Sequence, residues 1–241
     1  MSFTDFTAGQ ETLVNTTTTT DQMYPSVASL STGGYVVTWM GYNQADASYE
    51  IYGQQFDASG AAVGGQTQIN TTTTASDQNP SVAGLRGGGY VVAWMAYGQD
   101  GDGWGIYGQT FNASGAPVGG ETRINTTTAS DQVDPSVAAL TGGGYIVTWA
   151  SDNQDGDGWG VYGQRFDASG HAVGGETLIN TTTTSDQLNP KVAGLSNGGY
   201  VVTWESYNTT SSNYDLYEQR FDASGAAVGG ETRVNTTTGV D

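Results

Sequence analysis

The chain has 241 residues, 24 acidic against 6 basic side chains, a formal net charge of −18 and no cysteine. Six scattered cations cannot line a phosphate-binding groove, which excludes nucleic acid as a partner. Disulfides and Cys-ligated zinc are impossible, the single His171 cannot build a multi-histidine site, and no apolar run approaches the ~18 residues of a membrane span.

The opening MSFTDFTAGQ has neither a basic nor an apolar region, so no N-terminal signal peptide is expected. Beyond it the chain repeats itself. YVVTW, YVVAW, YIVTW and YVVTW begin at Tyr35, Tyr90, Tyr145 and Tyr200, a constant step of 55 residues. Pro25, Pro80, Pro135 and Pro190 keep the same step, as do Phe56, Phe111, Phe166 and Phe221.

One unit reads as four short strands. SVAGL or SVAAL follows the proline, a Gly-rich turn comes next, and YVVTW forms the second strand. A polar loop leads to the third strand, IYGQTF or VYGQRF. The DASG or NASG turn then runs through AVGG to the fourth strand, ETRIN or QTQIN. In the second strand Tyr35, Val37 and Trp39 face one way and Val36 and Thr38 the other, so both faces are largely apolar. Such a sheet must be covered on both sides, which radial stacking achieves. The expected fold is therefore all-β, a β-propeller of four four-stranded blades in one domain over 1–241. Its repeats are 25–79, 80–134, 135–189 and 190–241, with the ring closed by a terminal strand at 11–17. The fourth-strand segment occurs a fifth time, because Glu11–Asn15 and Glu231–Asn235 both carry it. The spare copy predicts a frayed tail or head-to-tail self-association by strand addition.

The combination GGYVVTW, QDGDGWGIYGQ, RFDASGAAVGGETRIN and DQxxPSVAAL resembles tandem repeats of very large secreted bacterial RTX-type surface proteins, calcium-binding or adhesin-like in character. The resemblance runs from about Phe6 to Thr238. It implies an extracellular or cell-surface setting and export without an N-terminal signal. The sequence lacks the GGxGxDxxx calcium nonapeptides and a recognisable C-terminal secretion segment.

Antiparallel parity places the loops between strands two and three on the same face as the inter-blade loops, and that face is strongly acidic. Asn153, Asp155 and Asp157, followed by Gly158, have the [DN]-x-D-x-D-G spacing that wraps oxygens around Ca²⁺. Asp100 and Asp102 keep part of it. These five residues are the candidate metal ligands, with Ca²⁺ as the expected cofactor; the alternative is a solvated Asp-Gly turn. Tyr49, Trp104, Trp159 and Tyr214 repeat beside these loops, either as platforms for a glycan or cell-surface component or as packing between blades. Near-identical units argue against one distinctive catalytic site. The expected function is a non-catalytic structural or adhesive module, not an enzyme. The alternatives are a multivalent lectin and a carbohydrate-active enzyme using paired carboxylates.

Overall fold

A computed structural model of the protein describes residues 11–73 and 75–236. They form four four-stranded antiparallel sheets, each made of consecutive strands. The first holds β1 (Gln22–Ser29), β2 (Tyr35–Asn43), β3 (Ser48–Phe56) and β4 (Ala62–Gln68). The second holds β5 (Asp77–Gly84), β6 (Tyr90–Tyr97), β7 (Trp104–Phe111) and β8 (Pro117–Arg123). The third holds β9 (Gln132–Ala139), β10 (Tyr145–Asp152), β11 (Trp159–Phe166) and β12 (Ala172–Leu178). The fourth holds β13 (Gln187–Gly194), β14 (Tyr200–Asn208), β15 (Asn213–Phe221) and β16 (Ala227–Arg233).

Two boundaries differ from expectation. Each first strand starts three residues before its proline, and the register shifts across it, as between Gln78 and Ser81. Proline has no N–H for the ladder, and a bulge is where a strand tolerates it. The preceding residue takes positive φ in all four sheets: Tyr24 at 52°, Asn79 at 51°, Asp134 at 54° and Asn189 at 52°. Each fourth strand also begins earlier, taking in the AVGG or PVGG segment read as a connection.

Between turn and fourth strand, Asp57 Oδ1 accepts from the Ser59 and Ala61 N–H groups at 2.8 and 3.0 Å, which explains the D-A-S-G string. The Ser59 hydroxyl, which donates to the same oxygen at 2.6 Å, and these N–H groups hold the Asp57 carboxyl below its ordinary pKa.

The core consists of three seams. Val36, Met40, Ile51 and Ile69 of the first sheet meet Val82, Val92, Trp94 and Phe111 of the second. Ile106 and Ile124 meet Val137, Val147 and Trp149, and Val161 and Ile179 meet Val202 and Trp204. In each seam the first strand of one sheet lies across the middle strands of the sheet before it: β5 on β2 and β3, β9 on β6 and β7, β13 on β10 and β11. A serine fastens each seam at the inner edge, with Ser26, Ser81 and Ser136 accepting the N–H of Val82, Val137 and Val192 at 3.1–3.2 Å. At the outer edge Thr71 donates through N and Oγ1 to Glu121 Oε2, and Thr126–Glu176 and Thr181–Glu231 repeat the clasp.

This arrangement is propeller-like, with four sheets as expected. The expected closing strand is absent. Residues 11–17 adopt no strand, and the segment expected as the spare, Glu231–Asn235, is joined to its own sheet through β16 on β15. Among the described residues no packing like that of the three seams joins the fourth sheet to β1. Among the described residues each sheet is built from its own consecutive hairpins, with no strand from the other terminus.

Candidate functional site

The first strands of the four sheets stand side by side, β1 beside β5, β5 beside β9 and β9 beside β13, and together line one axial cavity. At the end where they begin, Tyr24, Pro25, Asn79, Pro80, Asp134 and Lys191 line a cavity of about 430 Å³. Asn79 Nδ2 donates to Asp134 Oδ1 across the sheet boundary at 2.9 Å. Lys191, the one lysine of the chain, stands where the other sheets have Ser26, Ser81 and Ser136.

Two residues before Asn79, about 7 Å back along β5, Asp77 points into the first seam. Here the repeat breaks. Asp77 replaces the glutamine found at Gln22, Gln132 and Gln187, and Glu50 stands where two other units have Gly105 and Gly160. Both carboxylates are buried. Asn70 joins them: its Nδ2 donates to Glu50 Oε2 and to Asp77 Oδ2 at 2.7 Å, while its Oδ1 accepts the Ile51 N–H at 2.9 Å. Ser48 Oγ donates to Glu50 Oε1 at 2.6 Å, and Trp94 Nε1 to Asp77 Oδ1 at 3.1 Å. The equivalent Trp149 and Trp204 Nε1 atoms find no acceptor. Sharing one nitrogen keeps the two carboxyl groups within about 5 Å.

Burial raises the Asp77 pKa from 3.8 to about 8, with the Glu50 and Glu121 charges adding to it and the Trp94 and Asn70 hydrogen bonds opposing it. Burial also raises Glu50, against the bonds from Ser48 and Asn70. Burial thus favours the protonated form of Asp77 at neutral pH. Glu121, at the rim, accepts from Gln99 Nε2 at 2.5 Å. Sequence reading missed this pair because Glu50 and Asp77 lie 27 residues apart and on strands of different sheets. The available signal was their departure from the repeat.

The sequence-predicted metal ligands do not gather into one shell. Asp100 and Asp155 turn inward, with Oδ2 3.4 and 3.5 Å from Asn125 and Asn180 Nδ2. There they do what Glu50 and Asp215 do from within a strand, as Asn235 Nδ2 donates to Asp215 Oδ1 at 2.9 Å. Asp102 and Asp157 instead tie the loop to the inter-sheet segment, accepting the Ser130 and Ser185 N–H groups at 3.1 Å. Asn153 Nδ2 donates to Asp152 Oδ1 at 2.8 Å. Among the described residues no group of three or more His, Cys, Asp or Glu is placed to hold a metal ion. Gln154 Oε1 and Asp155 Oδ1 are buried without a hydrogen-bond partner.

The loops do share a face: Trp104 N donates to Asp131 Oδ1 at 2.9 Å and Trp159 N to Asp186 Oδ1 at 3.3 Å. Tyr49, Trp104 and Trp159 are half-buried, and Tyr49 and Trp104 pack against the first and second seams. Tyr214, on the fourth sheet, is exposed and stacks edge-on with Tyr207.

No protein-family model matches the chain, and no curated protein matches it. Its fold is shared with solved structures. A protein of unknown function from Dyadobacter fermentans has a TM-score of 0.64 at 11% identity, over 91% of this chain and 71% of that one. The GH93 α-L-arabinofuranosidase of Fusarium graminearum with arabinobiose has a TM-score of 0.64 at 13% identity, over 91% and 68%. An endo-arabinase from Bacteroides thetaiotaomicron has a TM-score of 0.51 at 13% identity, over 84% and 78%. These comparisons overturn the expectation of a non-catalytic structural or adhesive module and of a chain that is not an enzyme, because solved proteins with this fold include glycoside hydrolases.

Proposed function

We propose that the protein is a carbohydrate-active enzyme that cleaves glycosidic bonds. The four sheets are the blades of a propeller, the axial cavity beside Asn79 and Asp134 receives the sugar, and the Glu50–Asp77 pair supplies the chemistry. The observation that carries this reading is the pair itself: two buried carboxylates on one amide nitrogen, at the one seam where both break the repeat. Perturbed acids of this kind concentrate at functional sites. Asp77, held protonated, is the general acid for the leaving oxygen, and Glu50 is the nucleophile at the anomeric carbon. Substrate access requires movement of the exposed turn 44–47, where Ala47 holds φ at 54° and Asp46 acts electrostatically on Glu50. The fold neighbours that act on arabinose-containing substrates make such glycans the first to try. The extracellular setting implied by the repeat resemblance belongs to the same proposal.

Glu50→Gln and Asp77→Asn test it. Each is expected to lower turnover of a cleaved oligosaccharide by about 10²-fold or more while the variant melts cooperatively. Unchanged turnover in both variants overturns the assignment of the pair.

A further inference from the structure

The three internal seams show what a blade needs on each side, and the two ends of the array lack it. Ile51, Ile106 and Val161 are each 0% exposed under the following sheet, but the equivalent Leu216 is 47% exposed. Ile69, Ile124 and Ile179 are at most 3% exposed, whereas Val234 is 51% exposed. At the other end Val82 and Val137 are 7% exposed under the preceding sheet, and Val27 on β1 is 67% exposed. The uncovered face of the fourth sheet is one half of the repeating seam, and the uncovered face of the first sheet is the other half.

We infer that a second copy of this chain covers the fourth sheet, laying its β1 across β14 and β15 as β5 lies across β2 and β3. The occupant follows from continuity with the interfaces already present, since one seam pattern recurs three times and both of its halves are exposed on every molecule. Val27 of the second copy would seat against Leu216 and Val234 as Val82 sits in the seam with Ile51 and Ile69. Val14 and Asn15 now line a shallow cavity of about 220 Å³ over Val37 and Trp39. They hold the repeat position of Val234 and Asn235, so this segment must yield its seat when the second copy docks.

Two residues set the strength of the contact. Glu205 occupies the position of Met40 and Met95, which are buried in the first two seams, and Lys191 replaces the serine that fastens each seam. The new seam is therefore weaker than the internal ones, reversible, and favoured by salt, which screens the repulsion between chains of charge −18. The contact is heterologous, because each molecule offers different surfaces at its two ends, so it continues into chains unless the rotation closes a ring.

Sedimentation of the full chain over a range of concentrations tests this. The expected result is concentration-dependent association, abolished by Val27→Glu and separately by Leu216→Glu, and tightened at least several-fold by Glu205→Met. A mixture of the Val27→Glu and Leu216→Glu chains should form a one-to-one dimer and nothing larger, because each variant keeps one sound face. Both substituted positions are exposed, so each variant should keep the native melting temperature. A wild-type chain that stays monomeric at its highest soluble concentration overturns the proposal. So does association that survives both substitutions, or a mixture that stays monomeric.

Discussion

Asp77 shows what a single substitution does inside a repeat. Its folded pKa of about 8 lies above the ordinary 3.8, so the native state holds the proton more tightly than the unfolded chain. The associated stability is complete below about pH 4 and is lost as pH rises through about 8. Replacing Asp77 by the glutamine of the other units removes that loss. Thermal melts should show Asp77→Gln gaining on the wild type progressively from pH 4 to pH 9, and parallel curves would contradict the assignment. The glycines at 105 and 160 make the complementary point. A Cβ on Gly160 would lie 2.5 Å from Asp155 Oδ2, which fills the place that Glu50 fills from its own strand. Gly160→Ala should push the carboxylate off Asn180 and cost about 1 kcal/mol. Gly120→Ala, whose Cβ meets open space, should be silent in the same denaturant titration. The D-x-D-G spacing was legible as a motif, yet it could not say which carboxylate turns inward, because that depends on a glycine five residues later and an asparagine twenty-five residues later. The two unpartnered oxygens of Gln154 and Asp155 leave one concrete form of the calcium proposal: excess Ca²⁺ should raise the melting temperature of the wild type and not of Asp155→Asn. Identical wild-type melts in Ca²⁺ and chelator would remove it.

Among the elements, strands two and three were readable because their residues are dictated locally, by β-branched and aromatic side chains buried on both faces. The first and fourth strands were shifted in the reading. Proline looked like a boundary, whereas the chain uses it at a bulge inside the strand, and the paired glycines of AVGG looked like a connection, whereas β4, β8, β12 and β16 are exposed outer strands that tolerate them. Seam position also ranks equivalent residues energetically. Ile106→Ala leaves a cavity in the second seam and should cost about 2–5 kcal/mol. Leu216→Ala, at the same repeat position on an open face, should cost less than about 1 kcal/mol. Equal losses for the two in urea titrations, at a concentration where the chain is monomeric, would mean that the fourth sheet is covered from within the same chain.

For the whole molecule, the four-sheet architecture was visible in the sequence because a 55-residue period leaves few alternatives. Ring closure was not, because packing between distant sheets depends on the angle each seam imposes, which no single unit encodes. The expectation of a non-catalytic module arose for a related reason: similarity among units drew attention to what they share, and the proposed Glu50–Asp77 pair is what they do not. The central claim is that this pair breaks glycosidic bonds beside the axial cavity. Its most direct test is the release of new reducing ends from a panel of oligosaccharides, arabino-oligosaccharides included, measured for the wild type across pH and for Asp77→Asn. The account predicts turnover of at least one substrate class, a rate that falls as pH rises past about 8 where Asp77 gives up its proton, and loss of that turnover in the variant. No cleavage of any glycan in the panel by a folded wild-type chain, or full turnover by Asp77→Asn, would contradict it.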